Sequence, residues 1–392
     1  MQENIINYTT CGKMIEDRLY FSERNFNGLF CYNMKSKECE FIACFKGEDI
    51  SEFDLHKNCI LYNEQLFFIP QRSNFIHVYH MKTGEQRNIL ISKQKNRKPQ
   101  FLYEVLQYGS CLYNIPISIE QPLIRLDMNR QIVEEDYRFS QWCKKQLSNT
   151  KVLLGPRAAY KGNDIYVVLF ETNIILRWNI FSGEGKVYQS VDGLFGISNA
   201  SDGFWLLTLK CSEILHWNPE NGIQSYAGTQ EIFDKKPYNH VVEIEGYTIV
   251  IPTKGDNLWI KSNEENVFTK FYFKTELAFD YRELEFYGFD VDGGKLCLFF
   301  SIGRGVIVLD IKNKSAEWLL IQLENCEAIK RIETVRRVEI AKKRLQEGHT
   351  VWEFEEWSLK DLIINLAFSE NSYMKRMEES GGIIYQSLYK KD

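Results

Sequence analysis

The sequence predicts an all-β fold, a seven-bladed β-propeller covering residues 8–322, followed by a mainly helical C-terminal extension over 323–392. Two observations carry this expectation. A pair of short apolar and aromatic runs, separated by a polar turn, recurs seven times along the chain. Equivalent positions 32, 79, 126, 178, 217, 260 and 309 lie 39 to 52 residues apart, an interval that marks propeller blades and other repeat arrays. Runs this short, rich in β-branched and aromatic residues and bounded by Gly, Asn, Asp and Lys, read as strands. Each period has room for a further strand on either side, as at 54–61 and 86–91, and a four-stranded unit of this length is a propeller blade.

The first copy pairs Leu19-Tyr20-Phe21 with Leu29-Phe30-Cys31-Tyr32-Asn33. The second pairs Leu66-Phe67-Phe68-Ile69-Pro70 with Ile76-His77-Val78-Tyr79-His80, and the third Leu112-Tyr113-Asn114-Ile115-Pro116 with Leu123-Ile124-Arg125-Leu126-Asp127. The fourth and fifth pair Ile165-Tyr166-Val167-Val168 with Ile175-Leu176-Arg177-Trp178-Asn179, and Phe204-Trp205-Leu206-Leu207 with Ile214-Leu215-His216-Trp217-Asn218. The sixth joins Tyr247-Thr248-Ile249-Val250-Ile251-Pro252 to Leu258-Trp259-Ile260-Lys261, and the seventh Leu296-Cys297-Leu298-Phe299-Phe300 to Val306-Ile307-Val308-Leu309-Asp310. Three places for ring closure stay open in the sequence: residues near Asn4 to Tyr8, Trp318 to Ile321, or Ile383 to Tyr389 added as a strand.

Two segments break the repeat. Residues 137–150, with Trp142, Lys144 and Lys145, read as a short helical or irregular insertion. In the extension, 323–347 is rich in Glu, Lys and Arg and predicts a helix, although Ile329, Ile332, Val335 and Val338 drift around it instead of forming one stripe. Trp352, Phe354 and Trp357 then stand among acids and are candidate partner-binding residues. Ser358 and Asp361 form a capping-box arrangement ahead of Leu359, Leu362, Ile363, Leu366 and Ala367, which fall at amphipathic-helix spacing.

Composition narrows the function classes. The chain has 392 residues, 44% of them hydrophobic and 14% aromatic, enough apolar surface to offset chain entropy in a large core. Lys plus Arg number 48 against 53 Asp plus Glu, a net charge of -5 without a long basic run, so no nucleic-acid partner is expected. No apolar stretch approaches the length of a membrane span, and the N-terminal residues do not read as a secretion signal. Ten cysteines without a Cys-x-x-Cys pair suggest reduced, buried thiols, and together these features lead to an expectation of a soluble cytoplasmic protein.

The turns His80-Met81-Lys82-Thr83-Gly84-Glu85, Trp178-Asn179-Ile180-Phe181-Ser182-Gly183-Glu184 and Asn218-Pro219-Glu220-Asn221-Gly222 are similar to the outer-strand turns of kelch-like and quinoprotein-like blades. Glycine suits a turn that needs positive φ. A Gly-Gly doublet occurs in one blade, at Gly293-Gly294, and a Trp-Asp dipeptide in none, so the resemblance implies the propeller class without a quinone or any other cofactor.

No local catalytic motif is present: no phosphate loop, nucleophile elbow or His-Glu-x-x-His helix occurs. His77 and His80, three apart on a strand, fall on opposite faces and predict no shared metal. Asp290, Asp292 and Asp310 read as residues of polar turns, and Gly303-Arg304-Gly305 as a tight turn. Propeller architecture implies that loops between the second and third strands gather on one face around the channel, where ligands usually bind. Those loops supply the candidate ligand-binding residues Arg24, Arg72, Glu120, Glu171, Lys210, Lys254 and Arg304. The expected function is a non-catalytic protein-interaction scaffold using this face and the helical tail. The alternative is an enzyme or receptor that acts on a saccharide or peptide at the channel mouth.

Overall fold

The computed structural model describes residues 9–321 except 25, 51, 92–101, 148–151, 210–213, 227–237, 256, 266, 273–284, 303–304 and 320. The expected C-terminal helices, with Trp352, Phe354 and Trp357, therefore lie outside the described residues. Among those described, the chain forms twenty-eight strands and one helix, numbered in chain order. Blade 1 is β1 (Thr9–Ile15), β2 (Arg18–Glu23), β3 (Leu29–Asn33) and β4 (Glu38–Ala43). Blade 2 is β5 (His56–Tyr62), β6 (Gln65–Pro70), β7 (Phe75–His80) and β8 (Gln86–Leu90). Blade 3 is β9 (Leu102–Tyr108), β10 (Cys111–Pro116), β11 (Leu123–Asp127) and β12 (Ile132–Asp136), and α1 (Arg138–Gln146) follows it. Blade 4 is β13 (Leu154–Lys161), β14 (Asp164–Leu169), β15 (Ile174–Asn179) and β16 (Gly185–Gln189). Blade 5 is β17 (Leu194–Asn199), β18 (Phe204–Thr208), β19 (Ile214–Asn218) and β20 (Gly222–Tyr226). Blade 6 is β21 (Tyr238–Ile244), β22 (Tyr247–Pro252), β23 (Asn257–Ser262) and β24 (Thr269–Tyr272). Blade 7 is β25 (Glu285–Asp292), β26 (Lys295–Ile302), β27 (Val306–Asp310) and β28 (Ser315–Leu319). Each sheet pairs its strands antiparallel in sequence order, which makes a seven-bladed β-propeller.

All seven repeated pairs are the second and third strands of a blade, and these are buried on both faces, as in β6 (Leu66 to Pro70) and β18 (Phe204 to Thr208). Two-sided burial explains why they read as continuous apolar runs instead of alternating ones. The polar residue closing the third strand has a structural task. Asn33, Asp127, Asn179, Asn218 and Asp310 each accept, through a side-chain oxygen, a backbone N–H two or three residues on. That local bond starts the turn to the fourth strand. Four residues after the starting polar side chain, the backbone is left-handed, at Gly84, Gly183 and Gly222 as the sequence predicts, and also at Lys37, Gln131 and Lys314. The sixth copy is shifted by one: Lys261 pairs with Thr248 as Tyr32 pairs with Leu19, so Lys261, not Ile260, is the equivalent residue. Lys261 is buried, its ammonium 6.0 Å from the centre of the Phe268 ring. A buried Lys in an apolar slot hides the repeat from a hydrophobic pattern.

The insertion after blade 3 is helical over Arg138–Gln146. Its Phe139 and Cys143 are buried against Trp178, and Trp142 lies over Gly185 so closely that a Cβ there would meet the indole at 2.2 Å. Of the eight described cysteines all but Cys44 are buried, as expected. Among the described residues no helix is long and apolar enough to cross a membrane.

Ring closure uses no exchanged strand among the described residues, because blade 1 and blade 7 are each built from consecutive strands. Instead β1 packs on β25 and β26. Met14, Leu19, Phe21, Phe26 and Phe30 of the first blade form one cluster with Cys297, Phe299, Val306, Leu319 and Ile321 of the last. Of the three places open in the sequence, Trp318 to Ile321 thus contributes by packing, and the other two lie outside the described residues. Polar bonds fix the register of the seam. Lys13 Nζ donates to Asp290 at 2.6 Å, the Met14 amide donates to the other carboxylate oxygen at 2.7 Å, and the Glu16 amide donates to Asp292 at 3.0 Å. Asp290 is therefore a seam residue within β25, not a turn residue.

Phe30 is fully buried and its ring stacks on Phe21 at 5.4 Å. Phe30→Ala is expected to cost roughly 3–5 kcal/mol, measured as a lower urea midpoint with an unchanged slope.

Candidate functional site

The seven inner strands surround an axial channel with a cavity of about 640 Å³. Each inner strand breaks register with its neighbour near its start. The extra residue is Thr10 in β1, Lys57 in β5, Tyr103 in β9, Phe195 in β17, Asn239 in β21 and Tyr287 in β25. In β13 the break spans Gly155 to Arg157. A bulge inserts a residue that the ladder does not pair and re-aims its side chain. Lys57, Arg157 and Tyr287 thereby come to line the channel.

Arg157 is the hub. Its Nε donates to the Asn239 carbonyl at 3.2 Å, and Nη2 donates to the Tyr287 carbonyl at 3.3 Å and to Asn239 Oδ1. Nη1 stands 3.6 Å from Glu104 Oε2, and His240 Nε2 lies 3.8 Å from the same oxygen. Both separations are electrostatic contacts longer than hydrogen bonds, and Glu104 Oε2 is a buried acceptor without a hydrogen-bond partner. Burial alone would raise the Glu104 carboxyl, but His240, Arg157 and Lys57 together hold it below its usual range. Burial, with repulsion from Arg157 added, pulls the Lys57 ammonium down to about 7 against the attraction of Glu104. His240 is likewise pushed below its ordinary value by burial, against the pull of Glu104. Burial raises Tyr287, whose hydroxyl donates to Gln71. It also raises Asp290, outweighing its Lys13 partner.

Of the sequence-predicted loop residues, Arg24, Arg72, Glu120, Glu171 and Lys254 are described and fall between second and third strands. Arg24 pairs with Asp54 at 2.9 Å, and the Arg72 guanidinium sits 4.1 Å from the centre of the exposed Phe53 ring. One loop thus gathers arginines from two adjacent blades. Lys254 pairs with Glu285 at 3.3 Å. Glu120 and Glu171 are exposed, and Glu171 is left-handed at φ 60°. Lys210 and Arg304 lie outside the described residues.

Sequence reasoning missed the channel residues Lys57, Glu104, Arg157, His240 and Tyr287. The available signal was a charged side chain within the otherwise strand-like first run of a blade, as in Leu102-Tyr103-Glu104-Val105-Leu106. His77 is buried while His80 is half-buried, and His77 has partners of its own. Ser22 Oγ, His56 Nδ1, His56 Nε2 and His77 Nδ1 form a buried chain with 2.8 Å links, which ends on the Lys46 carbonyl at 3.2 Å. Burial, reinforced for His56 by His77, lowers both imidazoles, His77 to about 4. Among the described residues no cluster of His, Cys, Asp and Glu could hold a metal ion.

No family model matches the chain, and no curated protein matches it. Solved structures do. The Cps50 (Swd1) β-propeller domain of Myceliophteria thermophila aligns over 79% of this chain and 98% of its own, at 10% identity and a TM-score of 0.53. YCF48 bound to D1 peptide aligns over 78% of this chain and 94% of its own, at 9% identity and a TM-score of 0.54. PorZ, a surface component of the type-IX secretion system of Porphyromonas gingivalis, aligns over 82% of this chain at 8% identity and a TM-score of 0.54, and only 39% of PorZ is spanned. At these identities the likeness is one of fold.

Two outcomes follow from the buried groups. Arg157→Leu leaves Glu104 buried beside fewer positive charges and is expected to cost about 3–5 kcal/mol, read from urea unfolding. Below about 6.5 the unfolded chain takes up protons on histidine that native His56 and His77 refuse, so stability should fall as pH drops from 6.5 toward 4. Unfolding midpoints across that window should flatten in His77→Phe if the pair is responsible.

Proposed function

We propose that this chain is a non-catalytic interaction protein that receives a protein partner on the face formed by the loops between second and third strands. The observation that carries this reading is the cluster at one edge of that face, where Arg72 lies over exposed Phe53 and Arg24 pairs with Asp54 beside it. Arginine and large aromatic side chains, held in place before contact, are the residues on which interface energy concentrates. Pairing within the monomer pre-orders both arginines, which lowers the entropy cost of docking. The acidic and aromatic segment with Trp352, Phe354 and Trp357 is assigned to the same partner. A protein of the same fold bound to a peptide supports a protein ligand in general terms. The second reading, an enzyme or receptor taking a saccharide or peptide at the channel mouth, draws on the charged axial cavity.

The test is affinity capture by the full chain, with the double variants Phe53→Ala/Arg72→Ala and Trp352→Ala/Trp357→Ala alongside. A partner held by the unaltered chain should bind at least roughly tenfold more weakly to the first variant, and more weakly to the second if the extension contributes. Equal binding by all three proteins would refute the loop-face reading.

A further inference from the structure

The axial cavity is separate from the loop cluster assigned to a partner, and its chemistry specifies a different kind of ligand. Its volume, about 640 Å³, falls in the range of small-molecule sites. Two cationic side chains, Lys57 and Arg157, line it together with Glu104, whose carboxylate stands 3.6 Å from Arg157 and 3.8 Å from His240. Arg157 is fixed by hydrogen bonds to Asn239 and Tyr287, so its charge is positioned before any ligand arrives. Glu104 Oε2 is buried and unsatisfied as an acceptor, a costly state that a donor entering the cavity would relieve. An occupant that suits these groups brings an anionic end for the cations and a hydrogen-bond donor for Glu104. We propose that the channel is a binding site for a small carboxylate that also carries a hydroxyl or amine, with Lys57 and Arg157 facing the carboxylate and Glu104 accepting from the donor.

Binding of this kind is coupled to a proton. The charged and titratable groups facing Lys57 across the channel are Cys11 and Lys13 from β1, Glu104 from β9, Arg157 and Tyr160 from β13, His240 and Glu243 from β21, and Tyr287 and Asp290 from β25. Of these, His240 is pushed below its ordinary value while Cys11 and Tyr287 are pushed above theirs, whereas Lys57 itself titrates near 7. A carboxylate beside Lys57 favours its ammonium form, so affinity rises as pH falls through neutrality.

The experiment titrates the full chain with gluconate and with glutamate by calorimetry at pH 6 and pH 8.5, using hexanoate and inorganic phosphate as controls. Gluconate or glutamate should bind, roughly tenfold or more tightly at the lower pH, and hexanoate and phosphate should not. Lys57→Gln should abolish the pH dependence, and Glu104→Gln should weaken the preference for donor-bearing carboxylates. Should Lys57→Gln fail to fold, calorimetry of the unaltered chain at pH 8.5 in two buffers of different ionisation heat reads proton uptake directly, expected to approach one per ligand. Absence of binding by both test compounds, equal binding of hexanoate or phosphate, or zero proton uptake would each overturn the proposal. No partner protein is present in the assay, so its failure leaves the loop-face reading untouched, and the reverse also holds.

Discussion

A four-stranded sheet whose middle strands are apolar on both faces has no stable existence by itself, because each face must be covered by another sheet. Six of the contacts between blades follow from chain connectivity, since the next blade is simply the next forty to fifty residues. The seventh must be made between the two ends of the repeat. Here it rests on the aromatic cluster of Phe21, Phe26, Phe30 and Phe299, with Asp290 holding Lys13 and the Met14 amide. An ion pair between the outer edges, Lys37 with Glu317, spans the same seam. Without a strand exchanged across it, the seam among the described residues relies on side-chain packing and on these few polar bonds. The channel, lined by all seven inner strands, is enclosed only when that contact is made.

The channel is where closure becomes chemistry. Seven inner strands that merely alternated would send every second side chain to the axis with no particular height in common. Register breaks near the start of each strand change this, turning Lys57, Arg157 and Tyr287 toward the channel around Glu104 and His240. Burial then dominates the electrostatics, since it lowers Lys57 and His240 and raises Tyr287 and Asp290 together. Charges in such a place interact strongly because little water screens them. The Ser22–His56–His77 chain shows the other use of buried polar groups: closed off from solvent and fully linked, it ties blade 1 to blade 2.

The likeness to other propellers is one of architecture at identities of about a tenth, so it carries no ligand or partner to this chain. Specific function on such a scaffold lives in loops and channel linings, which vary freely while the blade core is kept. That division appears within the protein itself. Turn-closing side chains such as Asn33, Asp127, Asn179 and Asp310 repeat from blade to blade, whereas among the described residues Arg24, Phe53 and Arg72 gather at one edge and the Arg157 cluster occurs once.

The blade count, the second and third strands, the left-handed turns at Gly84, Gly183 and Gly222, and the insertion after blade 3 were determined by sequence alone. Their causes are local: two-sided burial writes a continuous apolar run, and a turn requires a particular residue within a few positions. The slip in the repeat register, at Lys261, came where a charged residue buries its stem in an apolar slot and so breaks the pattern without breaking the fold. The loop residues were legible as positions, but not the arrangement that sets Arg72 on Phe53 and Arg24 on Asp54. The seam and the channel were decided only by tertiary structure. Lys57, Glu104, Arg157 and His240 stand roughly fifty to eighty residues apart in succession, and nothing near any one of them in the chain reports the others. A bulge leaves composition unchanged while reversing which way a side chain points, so only the closed ring, by bringing these residues to one axis and excluding water around them, gives them a common environment.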